Sequence, residues 1–249
     1  MELPSRATGG PAVTGLAATA RQVLRTGTAS LVIIGLATIV ALALLVVSGR
    51  SEPFDATLIG FIRDPALSAA LAPLRPITEL GSTGAVTLVA FATFLIGVLI
   101  GPWLHGLIGA LTIALASIGN QFFKATVARE RPAILEPIVV EHGFSFPSGH
   151  AALSMVAYGI LGVLVMRSRL PLAVRRGIAA GLAILILLVG VSRVYLGVHY
   201  PTDVLAGWIA GALIVLIYAR LTRGVSLEPA ATAVDADPAG SRSDPPAPG

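Results

Sequence analysis

The chain contains long stretches without a charged side chain, and these restrict its fold more than any other feature. From Leu80 to Phe123 no Asp, Glu, Lys or Arg occurs. At 1.5 Å per residue, a single helix of this length would be about twice as long as the hydrocarbon core of a bilayer is thick. The stretch must therefore turn back, and Gly101-Pro102 is the expected break. The sequence predicts two membrane-spanning helices here.

The composition and the other apolar runs indicate a polytopic membrane protein. Only 12% of the 249 residues are charged and 55% are hydrophobic, whereas soluble domains carry about 25% charged residues. We expect an all-α fold, a bundle of six transmembrane helices with a short interfacial helical segment between spans one and two. The expected spans are 29–49, 81–100, 103–123, 149–166, 177–193 and 203–220.

The remaining segments surround this six-span domain, which we place at 29–223. Residues 1–28 form an N-terminal segment. The first apolar run is too long for the hydrophobic region of a signal peptide and is expected to stay as a span. The stretch 50–79 is amphipathic and suits the membrane surface. The tail 224–249 is rich in Pro, Ala, Asp and Ser, which predicts disorder.

Charge and cysteine usage narrow the possible functions. There is no cysteine, which excludes disulfides, thiolate catalysis and zinc–thiolate sites. Of the 17 basic residues, ten lie on the side of both termini and seven on the other. Three of these seven, Lys124, Arg131 and Arg193, are candidate functional residues. The bias predicts cytoplasmic termini and an outward-facing functional site, and it does not indicate nucleic-acid binding.

Three polar segments interrupt the apolar runs, at 124–132, 147–150 and 192–203. The first follows span three, the second begins span four, and the third joins spans five and six. Because successive spans reverse direction, all three segments are expected at the same face of the membrane.

The residues in these segments suit a phosphate group. Lys124, Arg131 and Arg193 can neutralise its oxygens, and arginine offers two parallel hydrogen bonds. Ser148 and Gly149 predict the start of a helix, where the serine caps and free backbone N–H groups point at an anion. The segments therefore predict a phosphate-binding site.

The histidines add possible chemistry to this site. Asp203 can orient His199, four residues earlier, and leave its second nitrogen free as a nucleophile. His150 is then the candidate general acid for the leaving oxygen. No acidic cluster on this face suits a pair of magnesium ions, so we expect metal-free chemistry without a cofactor. Arg129 and Glu130 are expected only to pair with each other at the surface.

The pattern Lys-x6-Arg-Pro, Pro-Ser-Gly-His and Ser-Arg-x5-His-x3-Asp resembles the three-part signature of the type-2 phosphatidic acid phosphatase superfamily. The resemblance implies a plasma-membrane lipid phosphatase that acts through a phosphohistidine. Its substrate would be a polyprenyl diphosphate, phosphatidate or phosphatidylglycerophosphate. By the same resemblance, His199 would be phosphorylated, Asp203 would hold it and His150 would donate the proton. The implied phosphate-binding residues are Lys124, Arg131, Ser148, Gly149 and Arg193.

Two other functions remain open from the sequence. A phosphoryl transferase could use the same site with an acceptor other than water. A phospholipid-binding or transport protein would need the cations but would have no use for the His199 and Asp203 pair. In each case the expected partners are a lipid phosphate and the bilayer, and the oligomeric state is not predicted.

Overall fold

The computed structural model describes residues 11–100, 103–134 and 136–224. Within these ranges every regular element is helical, so the predicted all-α class is confirmed. The tail predicted to be disordered lies outside the described residues from 225 onwards, as do residues 1–10 of the N-terminal segment.

One group of short helices separates the first long apolar helix from the other long ones. Within the described residues, five helices are long and apolar enough to cross a membrane, and a sixth candidate is a pair, Leu74–Gly81 and Thr83–Leu99, bent by 56°. In chain order the helices are α1 (Pro11–Val47), α2 (Glu52–Ile62), α3 (Pro65–Leu71), α4 (Leu74–Ile77), α5 (Thr83–Ile100), α6 (Trp103–Val127), α7 (Gly149–Arg167), α8 (Leu172–Tyr195) and α9 (Pro201–Leu221). Short 3-10 turns follow α4 and α9.

Helix α7 lies at the centre of the bundle and packs against α5, α6, α8 and α9. Its buried residues Val156 and Ile160 join Ile113 of α6 and Tyr218 of α9 in the main apolar core. By contrast, α1 contacts the bundle mainly through α9, and between residues 27 and 47 it leaves most of its apolar side chains exposed. Such an exposed apolar surface suits contact with lipid chains.

Two glycines allow α9 to approach α7 closely. A Cβ atom at Gly207 would lie 2.7 Å from the carbonyl oxygen of Ser148, and one at Gly211 would lie 2.7 Å from that of Ala152. Glycines four residues apart form such contact surfaces in membrane helices. One turn before Gly207, the carbonyl oxygen of Asp203 accepts a 3.0 Å hydrogen bond from the backbone N–H of Ser148. The close packing therefore places Ser148, the predicted N-cap at the phosphate site, beside Asp203, the predicted catalytic carboxylate.

The segment between the first two spans forms the short helices α2, α3 and α4. Pro53 and Pro65 lie in the first turns of α2 and α3, where a missing N–H has no consequence. Ile59 of α2 is buried against the starts of α7 and α9, whereas Phe54 and Phe61 are exposed. The predicted amphipathic segment thus covers one end of the bundle.

Candidate active site

The three polar segments meet at this end of the bundle around a cavity of about 370 Å³. The end of α6, the loop after it, the first turn of α7 and the turn before α9 form its walls. Its polar lining includes Lys124, Arg131, Glu141, His150 and His199, beside Gly149.

His199 lies in the turn between α8 and α9. Gly197 adopts a positive φ of 77° just after α8, which glycine tolerates without a steric cost, and Pro201 begins α9. This short turn holds His199 with only 1% of its surface exposed. Its Nδ1 lies 3.4 Å from Oδ2 of Asp203, and its Nε2 lies 3.4 Å from Nη1 of Arg131.

Burial controls the protonation of this histidine. It lowers the pKa of His199 to about 4, although the hydrogen bond to Asp203 and the negative charge of Asp203 oppose the shift. The imidazole is therefore neutral near pH 7. With a proton on Nδ1 facing Asp203, Nε2 keeps a lone pair that points toward the cations of the cavity.

Asp203 is completely buried in the first turn of α9. Its Oδ2 accepts a 2.9 Å hydrogen bond from the backbone N–H of Tyr200, in addition to facing His199. Its Oδ1 accepts a 2.6 Å hydrogen bond from Arg129. Each carboxylate oxygen therefore has its own donors.

The expectation that Arg129 pairs with Glu130 at the surface is wrong. Its side chain is only 9% exposed and bridges two buried carboxylates, Asp55 at 2.7 Å and Asp203 at 2.6 Å. Its guanidinium carbon lies 3.6 Å from the ring centroid of Tyr200. Two buried carboxylates need a cation. Because one of them, Asp55, comes from α2, the residue spacing within the motif does not reveal this pairing.

Two of the predicted phosphate-binding cations line the cavity and are held by backbone carbonyls. Nζ of Lys124 donates to the Phe144 carbonyl at 2.9 Å. The Arg131 guanidinium donates to the carbonyls of Val198, His142 and Gly143 at 2.8–3.1 Å. Both charges are thus fixed at the cavity before any ligand binds.

The third cation, Arg193, is 1% exposed and does not line the cavity. Its guanidinium donates to Thr78 Oγ1 at 2.7 Å and to Glu141. Glu141 lines the cavity and also pairs with Arg131 at 3.2 Å. Burial alone would raise the pKa of Glu141. The charge and the hydrogen bond of Arg193 outweigh this effect, so the pKa lies below its ordinary value. An ionised carboxylate therefore lies between two guanidiniums, where phosphate oxygens were expected.

The serine–glycine–histidine sequence forms the predicted helix start. Ser148 is the N-cap of α7, and its Oγ accepts the Ala151 N–H at 3.5 Å. A Cβ atom at Gly149 would lie 3.0 Å from the Asn120 amide nitrogen, so a larger residue would crowd the cavity wall. His150 follows in the first turn and lines the same cavity as His199.

The structure thus brings the eight predicted site residues to one end of the bundle. Five of them line the cavity, and three lie buried behind it: Ser148, Arg193 and Asp203. Three residues without a predicted role in the site, Asp55, Arg129 and Glu141, complete its ion pairs. These features define a helical membrane protein with a cavity that is lined by cationic side chains and histidines.

Comparison with known proteins shows what the chain is similar to. Residues 105–225 match the profile of the PAP2 superfamily, and they include all three motifs. The crystal structure of the first transmembrane PAP2-type phosphatidylglycerolphosphate phosphatase from Bacillus subtilis superposes with a TM-score of 0.62 and 26% identity, covering 76% of this chain and 94% of that chain. These matches confirm the resemblance to the PAP2 superfamily that the motifs predicted.

Other relatives show the range of this family. Phosphatidylglycerophosphatase B of Bacillus subtilis is 37% identical over 113 residues, 44% of this chain and 54% of that protein. Undecaprenyl-diphosphatase of Sulfolobus acidocaldarius is 32% identical over 116 residues, 44% of this chain and 51% of that protein. The structure of Aquifex aeolicus LpxE gives a TM-score of 0.50 and 26% identity over 66% of this chain and 92% of that chain. The chain spans about half the length of the two curated relatives.

Proposed function

We propose that the protein is an integral membrane phosphatase that hydrolyses a phosphomonoester or diphosphate of a lipid. The observation that carries the proposal is the environment of His199. One imidazole nitrogen faces a buried carboxylate, and the other faces a cavity that contains Lys124, Arg131 and His150. The candidate nucleophile, its orienting group, the candidate phosphate-binding cations and a second histidine thus lie in one place.

The first chemical step transfers the phosphoryl group to His199. Nε2 attacks phosphorus while the bond from phosphorus to the lipid oxygen breaks, and His150 protonates that oxygen as it leaves. The Nδ1 proton stays on the ring, so the phosphorylated imidazole carries a positive charge, which Asp203 stabilises. Lys124 and Arg131 stabilise the phosphoryl oxygens electrostatically.

The second step releases phosphate. His150, now neutral, takes a proton from a water molecule as the water oxygen attacks phosphorus. The bond between phosphorus and Nε2 breaks, and its electron pair returns to the imidazole. Both histidines recover their starting protonation, so the cycle needs only lipid phosphate and water. We propose that the fixed guanidinium and ammonium charges take the place of metal ions.

The lipid substrate and the orientation also belong to the proposal. The relatives' names point to phosphatidylglycerophosphate and undecaprenyl diphosphate as substrates to test. The excess of arginine on the side of the termini supports cytoplasmic termini and an outward-facing cavity. The head group would enter the cavity while the hydrocarbon chain stays in the bilayer.

The test is phosphate release by the purified, detergent-solubilised protein from phosphatidylglycerophosphate, phosphatidate and undecaprenyl diphosphate, with chelator present. We expect release from at least one lipid, unchanged by the chelator and lost in His199→Ala. Full release by His199→Ala would contradict the nucleophile, and loss with chelator alone would contradict the metal-free mechanism. Binding of these lipids without release would favour a binding or transport protein.

A further inference from the structure

A buried ion-pair network reaches the candidate site from outside the three motifs. Asp55 of α2 accepts hydrogen bonds from the Thr202 backbone N–H at 3.0 Å and the Thr202 hydroxyl at 2.8 Å. Arg129 also donates to Thr202 Oγ1 at 2.9 Å and to Ser51 Oγ at 3.2 Å. Together with the pairing of Arg129 to Asp203, these contacts tie α2 to the start of α9.

The network determines which oxygen of Asp203 faces His199. Arg129 holds Oδ1 at 2.6 Å, the shortest of the contacts to this carboxylate, and this leaves Oδ2 to Tyr200 N–H and His199 Nδ1. Because the Tyr200 ring stacks on the guanidinium at 3.6 Å, Arg129 itself is held in place. Rotation of the Asp203 carboxylate would break its ion pair with Arg129.

The same arrangement adjusts the charge on Asp203. Arg129 shares its positive charge between Asp55 and Asp203, both with fully buried side chains. Asp55 thereby limits how far Arg129 neutralises Asp203. The buried pairs are thus placed to affect both the orientation of Asp203 and its electrostatic effect on His199.

We propose that Arg129 and Asp55 are positioning residues of the active site, which fix Asp203 against His199 and so make α2 part of the catalytic structure. The inference rests on the proposed phosphatase function. A merely structural network would also keep α2 in place, so the test must measure catalysis and its pH dependence rather than stability.

The acid limb of kcat should shift in opposite directions in two variants if Arg129 and Asp55 are positioning residues, whereas a merely structural role predicts no such shifts. The charged and titratable groups facing His199 are Asp203 from α9, Arg193 from α8, Lys124 from α6, His150 from α7, and Arg131 and Glu141 from the loop. Removing the charge of Arg129 leaves the negative charge of Asp203 without its counter-ion. This favours protonated His199 and moves the acid limb of kcat to higher pH. Removing the charge of Asp55 directs more of Arg129 toward Asp203 and moves the limb to lower pH.

The experiment compares the full-length wild type with Arg129→Gln, Arg129→Lys and Asp55→Asn on the lipid that it hydrolyses best. Partners that orient metal-bound histidines contribute about 10- to 100-fold to activity, and we expect a fall of that size in kcat for Arg129→Gln. KM should stay within about threefold, because Lys124 and Arg131 are untouched. Arg129→Lys should restore the acid limb to its wild-type position. The neighbouring Glu130→Gln, at an exposed position, is the matched control and should behave like the wild type.

Three results would overturn the inference: unchanged kcat in Arg129→Gln, an effect on KM alone, or acid limbs that move in the same direction in both charge-removing variants. If Arg129→Gln does not fold, Asp55→Asn carries the test, since it keeps the pair of Arg129 with Asp203. An active wild type with equally active variants would refute the positioning role alone. A wild type without phosphatase activity would refute the proposed function and this inference with it.

Discussion

Replacing Asp203 by asparagine tests the electrostatic part of the proposed mechanism with almost no change in shape. The carboxylate receives three donors, from Arg129, Tyr200 and His199, and an amide has only one oxygen. If this oxygen faces Arg129, the NH₂ group faces Nδ1 and forces the histidine proton onto Nε2, which removes the nucleophilic lone pair. If it faces His199, the NH₂ group faces the buried guanidinium.

Both orientations impair the first chemical step. The first inverts the tautomer, and the second leaves a buried donor without an acceptor, which costs about 1–3 kcal/mol. In each, the phosphorylated imidazole also loses its counter-charge. The equivalent change in a serine protease triad lowers kcat by about 10⁴. We expect a fall of about 10³- to 10⁴-fold, or about 4–5 kcal/mol in the activation barrier.

The assay is steady-state phosphate release by Asp203→Asn on the lipid that the wild type hydrolyses best. KM should change little, because the cations of the cavity remain. Asp64→Asn is a suitable control, since this residue caps α3 away from the cavity and asparagine caps helices equally well. A fall of less than about tenfold, or a fall explained by KM alone, would refute the assigned role of Asp203.

Three further predictions follow from other parts of the structure. Glu141→Gln should tighten competitive inhibition by inorganic phosphate several-fold, since a carboxylate no longer competes for Arg131; weaker or unchanged inhibition would contradict this. Gly207→Ala should lower the thermal unfolding midpoint, with a destabilisation of about 1–3 kcal/mol, because the new Cβ meets a backbone oxygen at 2.7 Å. Gly177→Ala, with open space around it, should not lower the midpoint. Burial lowers the pKa of His199 to about 4, so the nucleophile should stay neutral as pH falls through 6.5, and its acid limb in kcat/KM should lie well below 6.5; a limb at 6.5 would be inconsistent with this burial.

The fold class and the meeting of the motifs could be predicted from the sequence because both depend on properties that are local in the chain. Charge-free length determines which helices can cross a bilayer, and alternating direction places their ends on one side. Helix ends are less predictable. Helix α8 begins at Leu172, before the charge-free run near residue 177, because Arg175 lies within the helix and donates back to the Met166 carbonyl. Long side chains of this kind let a helix continue past its apolar stretch.

The ion pairs of the site were not predictable in the same way. Arg129 faces inward because of Asp55, which lies 74 residues earlier in the chain. Glu141 belongs to an irregular loop, in which no periodicity indicates the direction of a side chain, and it separates Arg193 from the cavity. The residue roles taken from the motifs remain predictions, and these contacts specify which substitutions test them.

The most direct test of the account is detection of the covalent intermediate. The protein is mixed with its lipid substrate and quenched in alkali, in which phosphohistidine survives, and the peptide containing His199 is analysed by mass spectrometry. The account predicts a phosphoryl group on His199 that forms within one turnover and does not form in His199→Ala. Phosphate release without a phosphorylated His199, together with undiminished release by His199→Ala, would contradict it.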